Sequence, residues 1–114
     1  MAVTIWHNPR CTKSRQTLAL LNDRGSETDV VEYLKHAPSV EDIKNVLELL
    51  AIEPRDLMRK NEAIYKELNL KDEKDNNALI EAMFLHPILI ERPVVINDKK
   101  AAIGRPPENV LAIL

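Results

Sequence analysis

Apolar and polar positions along the chain shift from strand-like to helical patterning and back. Residues 2–6 (Ala-Val-Thr-Ile-Trp) form a short apolar run, rich in β-branched and aromatic side chains, that predicts a buried strand. Asn8 and Pro9 interrupt it. From about residue 12 to 24 the spacing is helical, with Leu18 and Leu21 on one face and Gly25 as the stop. Residues 28–34 (Thr-Asp-Val-Val-Glu-Tyr-Leu) suit a second strand, which completes a β-α-β opening.

Pro38-Ser39 punctuates the chain. Val40, Ile43, Val46, Leu47 and Leu50 then recur at helical spacing, and Ser39 with Asp42 matches a capping box. Pro54 ends that segment or starts a new turn, and residues 55–68 read as one or two short helices. A further helix is expected over about 75–85, with Leu79, Ala82, Met83 and His86 on one face and Pro87 closing it. Val94-Val95-Ile96, a turn at Asn97-Asp98, and residues 99–103 give a hairpin pattern. After Gly104-Arg105-Pro106-Pro107, residues 107–113 close with a short helix, whose first turn tolerates proline because that N–H would be unpaired anyway. The order is β-α-β, a helical block of about 50 residues, then β-β-α, an α/β chain with a mixed sheet. At 114 residues one domain is expected over 1–114, with the helical block (about 38–87) as an insertion.

Composition narrows the function classes. Apolar residues make up 45% of the chain, enough for a packed core, and the net charge of -2 gives no basic field to attract nucleic acid or a membrane surface. No apolar run reaches membrane-spanning length. The N-terminus has neither a basic start nor an apolar stretch typical of a secretory signal, and a single cysteine makes no internal disulfide. A cytoplasmic location is expected.

The chemistry concentrates in His7-Asn8-Pro9-Arg10-Cys11-Thr12-Lys13-Ser14-Arg15. Cys11 stands where the first strand gives way to the first helix. Free N–H groups of a first helical turn carry partial positive charge and stabilise a thiolate or an arriving anion. Arg10, Lys13 and Arg15 add positive charge. A lone cysteine often serves as a small core hydrophobe, but the polar flanks of Cys11 argue against burial and for a reactive thiol. His7 either shares a proton or hydrogen bond with that site or makes a strand-end hydrogen bond. Metal binding is not expected, because one Cys with His7, His36 and His86 shows no ligand spacing. No phosphate-binding glycine loop and no serine elbow is present. Arg59, Arg92 and Arg105 stand out by context. Arg92 and Arg105 flank the hairpin beside prolines, and both approach the Cys11 loop if the hairpin pairs with the first strand. Guanidinium forks suit a tetrahedral oxyanion.

On these residues the sequence resembles the ArsC family, the glutaredoxin-coupled arsenate reductases and their relatives. Residues 7–15 match its His-Asn-Pro-x-Cys-x-x-Ser-Arg string. Leu57-Met58-Arg59 matches its Leu-x-Arg segment, residues 87–93 resemble Pro-x-Leu-x-x-Arg-Pro, and Gly104 to Glu108 match Gly-Arg-Pro-Pro-Glu. The resemblance implies a thioredoxin-like fold with a helical insertion. It implies that Cys11 is the nucleophile toward arsenate or a similar oxyanion. Arg59, Arg92 and Arg105 would hold that oxyanion, His7 would help keep Cys11 ionised, and Pro93 would be a cis-proline. It also implies no bound cofactor, with glutathione as external reductant and glutaredoxin as the partner that clears the mixed disulfide. Thr12-Lys13 departs from the Gly-Thr usual after the cysteine and bears on anion selectivity. Ser14 replaces the second cysteine of the related Spx-type regulators, which argues against a disulfide switch. Two other readings are a thiol oxidoreductase of another substrate, as in monothiol glutaredoxins, and a non-enzymatic redox-responsive binding module.

Overall fold

The computed structural model describes residues 3–114; the first position of the expected opening strand, Ala2, lies outside them. The described chain forms two compact units, one running to His36 and resuming over Arg92–Leu114, the other covering Ala37–Glu91.

The first unit holds β1 (Val3–Trp6), α1 (Thr12–Asp23), β2 (Thr28–Val31), β3 (Val94–Asn97), β4 (Lys100–Ile103) and a 3-10 segment, Pro107–Ile113. The strand order is β2-β1-β3-β4. β1 runs parallel to β2 and antiparallel to β3, and β3 runs antiparallel to β4, so the sheet is mixed. Strand alternation sends Val3 and Ile5 to one face. There they meet Val95, Leu21 of α1 and Val110 of the 3-10 segment, with Leu18, Ala102 and Ile113 packed around them. Each such fully buried aliphatic side chain contributes about 1.5–3 kcal/mol. Leu18 and Leu21 thus share the inner face of α1 as their spacing predicts. Gly25 follows α1 with φ 71°, the left-handed geometry that ends helices without a Cβ clash.

Two boundaries differ from expectation. β2 stops at Val31, not at residue 34. Its partner β1 ends at Trp6, and the His7 N–H closes the ladder on the Val31 carbonyl at 2.8 Å. With no further strand to pair with, the chain turns, and Lys35 and His36 both donate to the Glu32 carbonyl. The hairpin turn sits one residue later than expected, at Asp98-Lys99, because Asn97 pairs with Lys100 and Asp98 takes φ 57°. Asp tolerates that conformation better than most residues, and the Asn97 side chain is held by the Ile113 carbonyl at 2.5 Å.

The second unit contains α2 (Val40–Leu50), α3 (Ala63–Glu67), α4 (Asn76–Leu85) and 3-10 turns at Pro54–Leu57, Leu70–Asp72 and Pro87–Leu89. Ser39 and Asp42 form the expected capping box, each side chain accepting the other's backbone N–H at 3.1 Å. Ile43, Val46 and Leu47 of α2 and Leu79, Ile80, Ala82 and Met83 of α4 are buried, and the two helices pack together. Pro54 and Pro87 each open a 3-10 turn. Arg55 ties these pieces: Nη1 donates to Tyr65 Oη at 2.5 Å and to the Leu70 carbonyl at 3.0 Å, and Nη2 donates to the Glu73 carbonyl. Among the described residues no helix is long and apolar enough to cross a membrane.

Candidate active site around Cys11

The turn from β1 into α1 is built by its own polar groups. Asn8 accepts the Arg10 N–H on its side chain and the Cys11 N–H on its carbonyl, both at 3.0 Å. This is the local bonding by which Asn favours turns over regular structure. Cys11 is the N-cap of α1 in extended geometry (φ -94°, ψ 123°), and its carbonyl accepts the Arg15 N–H at 3.0 Å. The side chain makes no capping hydrogen bond, so the thiol belongs to the residue at the positive end of the helix dipole without being tied to the first-turn N–H groups.

Cys11 is only 9% exposed, which corrects the expectation drawn from its polar neighbours. Arg10, Thr12 and Lys13 turn outward and are exposed, while the residue between them tucks inward. Flanking polarity reports the neighbours' direction, and at a helix start successive side chains diverge by about 100°.

Over the sulfur lies Arg105, whose Nη1 is 3.8 Å from Cys11 Sγ and 3.2 Å from the Arg92 carbonyl. The approach follows from the β1–β3 pairing, which brings both ends of the hairpin to the Cys11 loop. The Gly104 N–H donates to the Pro93 carbonyl at 2.9 Å, and the Arg92–Pro93 and Arg105–Pro106 bonds are both cis, the first at the position expected. Gly104 also meets α1 closely: a Cβ there would lie 2.5 Å from Thr17 Oγ1 and 2.8 Å from Pro93 Cγ. Thr17 Oγ1 is 2.8 Å from the Lys13 carbonyl and 3.4 Å from that of Gly104. Arg92 is half-buried, with Nε and Nη1 enclosed. Arg59 belongs to the helical unit, where its guanidinium pairs with Glu62 and lies 3.9 Å from Glu91.

His7 is 6% exposed, and its Nδ1 is 2.7 Å from Ser14 Oγ. Burial lowers its pKa by disfavouring the imidazolium, and the nearby Glu32 carboxylate opposes this more weakly. Burial thus favours the uncharged ring. Ser14 and Thr17, both fully buried, are the members of this site that the apolar pattern passes over. The signal for them exists, since positions 14, 17, 18 and 21 share one helical face. Among the described residues no group of three or more His, Cys, Asp or Glu could hold a metal ion.

A mixed sheet with a single thiol at the β1–α1 turn, faced by an arginine beside a cis-proline, defines a thioredoxin-like protein with a basic thiol site. The comparisons with known proteins go further. The ArsC family model matches residues 6–113. The chain is 49% identical to YfgD of Escherichia coli, with 98% of this chain and 96% of that protein covered. It is 47% identical to a protein named arsenate reductase from Haemophilus influenzae, with both chains covered in full. The solved structure titled arsenate reductase from Vibrio cholerae superposes with a TM-score of 0.97 at 51% identity, over 100% of this chain and 98% of that one. The chain belongs to the ArsC family.

Proposed function

We propose that this protein is an arsenate reductase in which Cys11 is the sole protein nucleophile and glutathione and glutaredoxin supply the remaining thiols. The observation that carries the reading is Arg105 Nη1 placed 3.8 Å from the sulfur of Cys11, the N-cap residue of α1, in a chain so similar to proteins named arsenate reductase. The thiolate attacks arsenic and an arsenic-bound oxygen departs as water after protonation. Arg105 and the α1 N-terminus stabilise the anionic adduct. Reduction of As(V) to As(III) takes two electrons, which two thiols supply on becoming one disulfide. Arsenate and two thiols thus give arsenite, a disulfide and water. Cys11, the only cysteine, is one thiol, so glutathione is the other. The Cys11–glutathione disulfide then exchanges with glutaredoxin. No bound cofactor is needed. Arg92 and Arg59 keep the oxyanion-binding roles that the family likeness suggests, His7 supports the thiolate, and the setting is the reducing cytoplasm.

Purified protein supplied with arsenate, glutathione, glutaredoxin, glutathione reductase and NADPH is expected to consume NADPH and release arsenite. Turnover no higher than that of a Cys11→Ser control would sink the proposal. Omitting glutaredoxin while keeping glutathione separates this coupling from a simpler thiol reductase.

A further inference from the structure

Ser14 carries its hydroxyl on the inner face of α1, three residues after the cysteine, and none of it reaches solvent. The oxygen meets two groups of the chain leading to Cys11: the Asn8 N–H donates to it at 3.0 Å, and His7 Nδ1 lies 2.7 Å away. The first contact has only one polarity, with the amide as donor. The hydroxyl keeps its own hydrogen, and a buried polar hydrogen without an acceptor costs about 1–3 kcal/mol. His7 Nδ1 can accept it if it is unprotonated. A neutral imidazole then carries its proton on Nε2. Burial of the ring favours this neutral form.

We propose that Ser14 is a positioning residue for Cys11: its hydroxyl donates to His7 Nδ1, fixes His7 as the Nε2–H tautomer and anchors the Asn8 amide. The consequence runs through the loop. Asn8 in turn receives the Cys11 N–H on its carbonyl, so this one residue is held to the hydroxyl by its N–H and to the nucleophile's backbone by its carbonyl. Ser14 acts on the sulfur only through these groups. The role rests on Cys11 being the nucleophile, as proposed above.

The test uses the full chain with ¹⁵N-labelled histidine, with His7 signals assigned by their loss in a His7→Asn variant. At pH 7.5 the His7 Nε2 is expected to bear the proton and Nδ1 to show the shift of an unprotonated, hydrogen-bonded nitrogen. Ser14→Ala should abolish that Nδ1 signature and displace the pH profile of Cys11 alkylation by iodoacetamide. It should also lower kcat for arsenate roughly tenfold while KM moves less. Ser14→Thr, which keeps the hydroxyl, should restore the Nε2–H pattern. A proton on Nδ1 in the unsubstituted protein overturns the proposal. So does a folded Ser14→Ala variant with unchanged histidine signals and alkylation profile. If Ser14→Ala fails to fold, the tautomer of the unsubstituted protein still decides. Absence of arsenate turnover in that protein would count against the proposed function alone, since the histidine and alkylation measurements need no arsenate.

Discussion

Arg55 and Arg105 sit one in each unit and each adjoins a proline, yet they face different acceptors. Arg55 directs its guanidinium to a phenol and two backbone carbonyls, those of Tyr65 in α3 and of Leu70 and Glu73 at the start and end of the following 3-10 turn. Arg105 remains exposed and sets one nitrogen 3.8 Å from a thiol and 3.2 Å from the Arg92 carbonyl. The first arrangement gathers neutral groups of α3 and of the following 3-10 turn around one side chain, so its product is rigidity. The second puts a permanent positive charge beside a thiol, the placement that the proposed thiolate chemistry would use. The sequence context of the two arginines is alike; the acceptors separate their purposes.

Substitution should therefore divide them cleanly. Arg105→Ala is expected to cut kcat/KM for arsenate by about 100-fold or more, on the scale of losing one preorganised donor to a developing anion. Its melting temperature should stay within about 2 °C of the parent, since exposed charges contribute little to stability. A large drop in melting temperature would show instead that Arg105 is a structural brace. Arg55→Ala is expected to do the reverse. Removing the three hydrogen bonds of this charged donor should cost about 2–3 kcal/mol in urea unfolding. The rate of Cys11 alkylation in the folded variant should stay unchanged, and a slowed rate would break the division.

The smallest effect belongs to the thiol-bearing unit alone. His7 is buried with its pKa lowered by desolvation, so below about pH 6.5 the unfolded chain binds a proton that the folded chain resists. The stabilising contribution is fully present above that pH and is lost as pH falls toward the folded value. The slope is at most about 1.4 kcal/mol per pH unit. Urea midpoints between pH 7.5 and 5 should show this decline, and it should flatten in His7→Gln. A decline of equal slope in that variant would assign the acid sensitivity to another group.

Much of this architecture is legible in the chain. Apolar period and breaker residues place both units' elements, the Ser39–Asp42 cap is visible as spelling, and the residues that converge at Cys11 are marked by strings such as Gly104-Arg105-Pro106. What escapes has a common physical cause. β2 ends where its partner ends, which is a property of pairing and not of its own residues. Ser14 and Thr17 lie on the buried face of α1 but are polar, so a hydrophobic pattern skips them although their spacing is right. The inward turn of Cys11 depends on direction at a helix start, which neighbouring residue types do not encode. For Arg59, Glu62 is a readable partner at three residues' distance, whereas Glu91 becomes one only when Arg59 N–H donates to the Leu89 carbonyl and Glu91 N–H to that of Leu57.

Gly104 gives the site a fixed clearance. The space where its side chain would begin is already filled, by Thr17 Oγ1 at 2.5 Å and Pro93 Cγ at 2.8 Å. One methyl group would force the end of β4 away from α1 and carry the next residue, Arg105, with it. A side chain at 104 is thus opposed by a neighbour on the first helix and by Pro93. The reach of the arginine is set by a residue with no side chain, one position before it.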